Sequence, residues 1–508
     1  MANSKKRADQ GIRSSRKSKA IVTTIVVAFA LIIVGYFVYI SGLLPKVMTG
    51  VKVIKTENGV TRTIENFSVA ETNYHYYQVL NSYYNYGILN GSMDMDTVYD
   101  PNTGKTYREL VLDGAANELM NIAIVNEEAR ARDYLPHSGA QRYAQMSVDS
   151  ASQTAAMYGF RSVEQYFQAL YGSGMSSRVM RSCVERETLT QEYENYVRQF
   201  LFTVSEEELN AAYEANPTVY ERADFNYYFF AGEANDDGTF DVAEAVQNAN
   251  EVADTATDSD SFAAAVVDII GEETAELAGF SEDYNPTFGE SYTSASADTI
   301  TEGLGDYLFS EETQEGDTTV IETESGAYAI LLDRRYVRED ATVTYRTLTL
   351  YNEAASSADA TPETIAAGLD AVVARANGLV STPMDSLAFA DLVKANTDVL
   401  SEIVTGGYND GTNASRFEGT EEYPVSDRDA QLGAWLFDEA RAHGDTLVLP
   451  SEDSSYVTIY YFEDSVPEWM YTARTQLVTG MVNSWSNDIL SGDPTYAISY
   501  DLIRRLSY

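Results

Sequence analysis

The chain has 508 residues, 78 Asp and Glu against 34 Lys and Arg, a formal net charge of −44 and a single cysteine. One hydrophobic core stops growing at roughly 250–300 residues, so several domains are expected. The negative field repels phosphate backbones and argues against nucleic acid as a partner, and a lone cysteine excludes an intramolecular disulfide.

The acidity is not uniform along the chain. Residues 1–19 carry Lys5, Lys6, Arg7, Arg13, Arg16, Lys17 and Lys19 against Asp9 alone. Residues 20–44, AIVTTIVVAFALIIVGYFVYISGLL, hold no charge and match the ~20 apolar residues of a membrane-crossing helix. Basic residues ahead of such a segment hold the N-terminus in the cytoplasm. The reading is therefore a single-pass plasma-membrane protein with a basic cytoplasmic tail and its bulk outside. A cleaved signal would have a shorter apolar core and a small-residue cleavage site, and no cysteine follows to carry a lipid. An exported chain without disulfides fits a Gram-positive cell surface.

Residues 45–67 alternate apolar and polar side chains around Asn58-Gly59, the pattern of a short hairpin or linker. Ser68 with Glu71, Ser162 with Gln165 and Ser205 with Glu208 then mark helix starts. Apolar residues recur between them at three- and four-residue steps, so residues 68–216 are predicted to form a helical domain. After Pro217 the grammar changes to strand, two helices and two strands over residues 217–340, and the same order returns over 341–465. The stretch LGDYLFSEETQEGDTTVIETESGAYAIL at 304–331 aligns without a gap to LGAWLFDEARAHGDTLVLPSEDSSYVTI at 432–459, an offset of 128. Tandem duplication is the simplest explanation. Residues 466–508 supply one more amphipathic helix, from Pro467, and a tail; the helical domain is the expected partner of its apolar face.

The two matching unit ends and the run YGFRSVEQYFQALYG, with the order of anchor, helical domain, repeated units and returning helix, resemble the SurA, PrsA and PpiD group of extracytoplasmic peptidyl-prolyl isomerase chaperones. The resemblance implies an α+β multidomain fold: a transmembrane helix, a helical chaperone domain, two degenerate parvulin-like units and a C-terminal helix returning to the helical domain. It implies a membrane-anchored foldase for unfolded or nascent secreted proteins. Active parvulins carry one histidine on the first strand and one on the closing strand. Here those strands read NYYFF and YRTLTL, then AYAILL and YVTIYY, with no histidine. Isomerase activity is thus expected to be lost or weak. Two alternatives stay open: an active isomerase using other groups, for which the hydroxyls of Tyr228 or Tyr345 are the candidates, and a non-catalytic partner in a surface or secretion assembly.

Candidate peptide-binding residues are Tyr74, Tyr76, Tyr77, Tyr83 and Tyr84, with Met146, Met157 and Met175 as a soft adaptable surface. Packing in the core is the competing role for each. His75, His137, His443 and Cys183 are dispersed and give no zinc spacing, and the Asp-rich stretches 94–104 and 235–239 lack the EF-hand pattern, so neither metal nor cofactor is expected.

Overall fold

A computed structural model describes residues 42–57, 59–134, 138–277, 288–420, 423–490 and 494–506. The basic tail, residues 20–41 of the expected span and His137 lie outside the described residues.

The expected span requires correction. At its described end, Leu43–Val47 is a short helix with Pro45 buried, and the preceding Gly42 lies so close to Gly174 that a Cβ would meet its Cα at 2.9 Å. This end of the chain therefore docks on protein. No helix among the described residues is long and apolar enough to cross a membrane, and the single-pass topology and plasma-membrane placement are not supported.

The fold class is mixed α/β with several open antiparallel sheets. Strands Thr49–Glu57 and Val60–Ser68 pair with each other as a hairpin, and Thr495–Ile498 adds a third strand to make a three-stranded sheet. Val51, Val53 and Phe67 on this sheet pack against Leu119, Ile122 and Ala123 of helix Tyr107–Ala131. The helix Val69–Asn85 begins where the sheet ends. Ser68 Oγ accepts from Glu71 N at 3.2 Å while Glu71 Oε2 accepts from Ser68 N at 2.7 Å, which satisfies two amide donors that a helix start otherwise leaves open. We expect Ser68→Ala to lower stability by about 1 kcal/mol, read as a shift of the urea midpoint at unchanged slope.

Each repeated unit is a four-stranded antiparallel sheet with the same order. The first runs Phe288–Tyr292, Glu221–Ala231, Gly326–Val337, Thr318–Thr323; the second runs Tyr408–Asn413, Ala341–Tyr351, Tyr456–Pro467, Thr446–Pro450. The first strand of each list is an edge strand that the strand-helix-helix-strand-strand reading leaves out. One face of each sheet is covered by its two helices, Ala243–Thr255 and Ser259–Ile270 in the first unit, Pro362–Leu379 and Ser386–Asn396 in the second.

The helix Glu468–Ile489 packs Trp485 against Val125, Ala129 and Tyr193, and Ala473 against Leu209 and Tyr220. At its start Glu468 pairs with Arg222 at 2.8 Å and with Arg338 at 3.0 Å, fastening the ends of the first unit to this helix.

Candidate functional site

The opposite faces of the two sheets differ, and the difference is written in three cross-strand pairs. In the first unit Phe225 lies opposite Leu332, Tyr227 opposite Ile330 and Phe229 opposite Tyr328. The equivalent pairs in the second unit are Thr347 with Tyr460, Thr349 with Thr458 and Tyr351 with Tyr456. Phe225, Ile330 and Leu332 are fully buried against Leu304 and Leu308, with Tyr227, Tyr292 and Tyr328 beside them. That face is packed shut. Where the second unit has threonine for phenylalanine, tyrosine and isoleucine, side-chain volume is missing, and a cleft of about 480 Å³ opens instead.

Local sequence explains how the cleft is walled. The edge strand Tyr408–Asn413 approaches Thr347 through Gly406 and Gly407, both at positive φ, and Thr347 N donates to Gly407 O at 2.8 Å. A Cβ at Gly407 would meet Thr347 O at 2.1 Å, so only glycine allows this approach. On the other side Ser426 caps the helix Asp427–Leu436, its Oγ accepting from Asp429 N at 3.1 Å. That places Arg428 in the first turn, above the sheet. Arg428 Nη2 donates to Tyr460 Oη at 2.7 Å and to Thr458 Oγ1 at 3.2 Å, and its guanidinium lies over the Tyr456 and Tyr460 rings at 5.7 and 5.8 Å. Its Nε is buried without a hydrogen-bond partner among the described residues. Burial raises the Tyr460 hydroxyl above its ordinary value, with Arg428 opposing, so the phenol stays neutral and accepts from the guanidinium.

The carboxylate in the cleft floor is already engaged. Glu402 accepts from Thr349 N at 2.8 Å, Thr349 Oγ1 at 2.7 Å and Thr397 Oγ1 at 2.5 Å. It orders the sheet rather than standing ready as an acid or base. Exposed Arg416, beside Phe417, adds a second cation at the rim.

The residues singled out in the sequence are dispersed. Tyr345 is buried in the base of the cleft, whereas Tyr228 is half-buried on the helix-covered face of the other unit. Tyr74, Tyr76 and Met175 are core residues of the first domain, Tyr77 and Tyr83 are half-buried, and Tyr84, Met146 and Met157 are exposed. Tyr76 and Tyr77 line a smaller cavity of about 260 Å³ with Arg108, Tyr500 and Arg504. His443 lies in the second unit but in a turn, where Nδ1 meets Glu463 O at 2.8 Å and Nε2 meets Tyr461 Oη at 3.2 Å. The stretches 94–104 and 235–239 form side-chain-capped turns: Asp94, Asp100 and Asp237 each accept from the backbone N–H two residues on.

A second constellation appears in the helical layer, where His75, Glu118 and Glu187 converge from three helices. Sequence spacing gives no sign of it.

No protein-family model matches the chain, and no curated protein is similar to it. The membrane-anchored foldase for unfolded secreted proteins is therefore corrected. Neither comparison connects the chain with isomerase chaperones, and the described residues contain no membrane-crossing helix.

Proposed function

We propose that this chain is a ligand-binding protein in which the first unit serves as a closed structural copy and the second presents its sheet face to a small, hydroxyl-rich ligand bearing an acidic group. The observation that carries this reading is the replacement of Phe225, Tyr227 and Ile330 by Thr347, Thr349 and Thr458 at equivalent positions. A packed face loses its filling and gains hydroxyls, while the strands on either side stay paired. Aromatic walls with a few placed polar groups are what fixes a small ligand in a preformed cleft. Tyr351 and Tyr456 supply flat apolar surface, Thr347 and Asn409 supply donors and acceptors, and the guanidiniums of Arg428 and Arg416 suit a carboxylate, sulfate or phosphate. The strongly acidic remainder of the chain disfavours long polyanions and restricts the ligand to a short one.

An acidic sugar meets these requirements and serves as the probe. Calorimetric titration of the full chain with a short uronic-acid oligomer should show saturable binding that its neutral, reduced counterpart lacks. Arg428→Met should weaken that binding by about 10–100-fold, the worth of a charge-assisted hydrogen bond. Equal affinity for the acidic and neutral oligomers, or an Arg428→Met variant that binds as well as the parent, would refute the assignment.

A further inference from the structure

His75 on helix Val69–Asn85, Glu118 on helix Tyr107–Ala131 and Glu187 on helix Ser177–Tyr196 bring their ligand-capable atoms within 4.8 Å of one another. His75 Nδ1 lies 3.4 Å from Glu118 Oε1 and 3.5 Å from Glu187 Oε1. Ligands held tetrahedrally at bond lengths of about 2.1 Å stand about 3.4 Å apart along each edge. Both distances are therefore edges of a zinc-sized coordination shell.

Three further observations point to a bound cation. His75 is 2% exposed, and its Nδ1 has no hydrogen-bond partner among the described residues, although buried polar nitrogens are ordinarily paired. Tyr74 Oη donates to Glu187 Oε2 at 3.1 Å and itself accepts from Gln78 Nε2 at 3.1 Å, so the outer oxygen of Glu187 is anchored and Oε1 is turned toward His75. This is the outer-layer support that metal-binding carboxylates receive. Glu118 is 39% exposed, which leaves one side of the cluster open for an ion to enter and for water to complete the shell.

We propose that His75, Glu118 and Glu187 form a mononuclear site for a divalent transition ion of the zinc class, with water as the remaining ligand. One imidazole and two carboxylates match zinc or cobalt, whereas calcium and magnesium call for oxygen ligands alone. The site ties together three helices of the first domain and is independent of the cleft in the second unit.

The test is a cobalt titration of tag-free full-length chain stripped with chelator, followed by visible absorption, with zinc added afterwards as competitor. One equivalent of Co²⁺ should give the intense bands of a low-coordinate site, and zinc should erase them. Glu187→Gln should lose the bands. Glu118→Gln, at a position open enough to leave folding intact, should weaken uptake at least about 10-fold while the far-ultraviolet circular dichroism stays unchanged. A folded chain that takes up no stoichiometric Co²⁺ or Zn²⁺, bands that persist in both variants, or preferential uptake of Ca²⁺ would each overturn the assignment.

Discussion

Replacing Arg346 with methionine is expected to destabilise the chain by about 3–5 kcal/mol, the cost of leaving the other half of a buried ion pair uncompensated. Arg346 is 2% exposed on strand Ala341–Tyr351, and its Nε pairs with Glu463 on the neighbouring strand. The same guanidinium reaches out of the second unit. Its Nη1 donates to Gln199 Oε1 at 3.0 Å and to Gly406 O at 3.1 Å, and the guanidinium lies over the rings of Phe200 and Tyr408 at 5.0 and 5.2 Å. Gln199 and Phe200 belong to the π-helical turn Val197–Leu201 at the end of helix Ser177–Tyr196. The loss should appear as a lower urea midpoint. Adding Glu463→Gln to Arg346→Met should recover part of it, because the pair is then removed as a whole; a double variant as unstable as the sum of the two single ones would contradict the coupling.

Stability is also expected to depend on pH through Glu192. This carboxylate is fully buried with neither oxygen hydrogen-bonded among the described residues, and burial pushes it up from 4.5 to about 7, against the attraction of neighbouring Lys394 and with repulsion from Asp391. The folded chain therefore holds this proton more tightly than the unfolded chain. Between those two values the folded state carries more protons, so raising the pH through the window favours unfolding, and below it the effect is absent. The difference in unfolding free energy between the parent and Glu192→Gln should change steadily from pH 4.5 to pH 7, with the parent losing ground as the pH rises. A difference that stays flat across that range would show that Glu192 titrates alike in both states.

What the sequence discloses and what it withholds follow the range of the interactions. The capping boxes at Ser68 and Ser205 need only the residues between the cap and the third helical position, and both can be read directly. Strand Thr495–Ile498 pairs with Thr49–Glu57 from the far end of the chain, and nothing local to either segment reports that pairing. The edge strand Tyr408–Asn413 is rich in Asn, Asp and Gly and reads as a loop until a neighbouring strand supplies its hydrogen bonds. The cleft was within reach: aligning the repeat at its offset of 128 already sets Ile330 against Thr458. The cluster of His75, Glu118 and Glu187 was not, since three ligands on three helices share no spacing rule. The tyrosine-rich helix shows why residue type alone misleads, because Tyr74 and Tyr76 are buried while Tyr84 two turns on is exposed.

If the second unit binds ligand because its sheet face lacks the side chains that fill the first, refilling that face should abolish binding. The double variant Thr347→Phe, Thr458→Ile restores the side chains that Phe225 and Ile330 supply to the first unit and leaves Arg428 and Glu402 in place. The measurement is calorimetric titration of parent and double variant with the same short uronic-acid oligomer, alongside their urea midpoints. Binding by the parent, lost in a double variant of equal or greater stability, is the predicted result. Undiminished binding by a folded double variant would place the ligand site elsewhere on the chain.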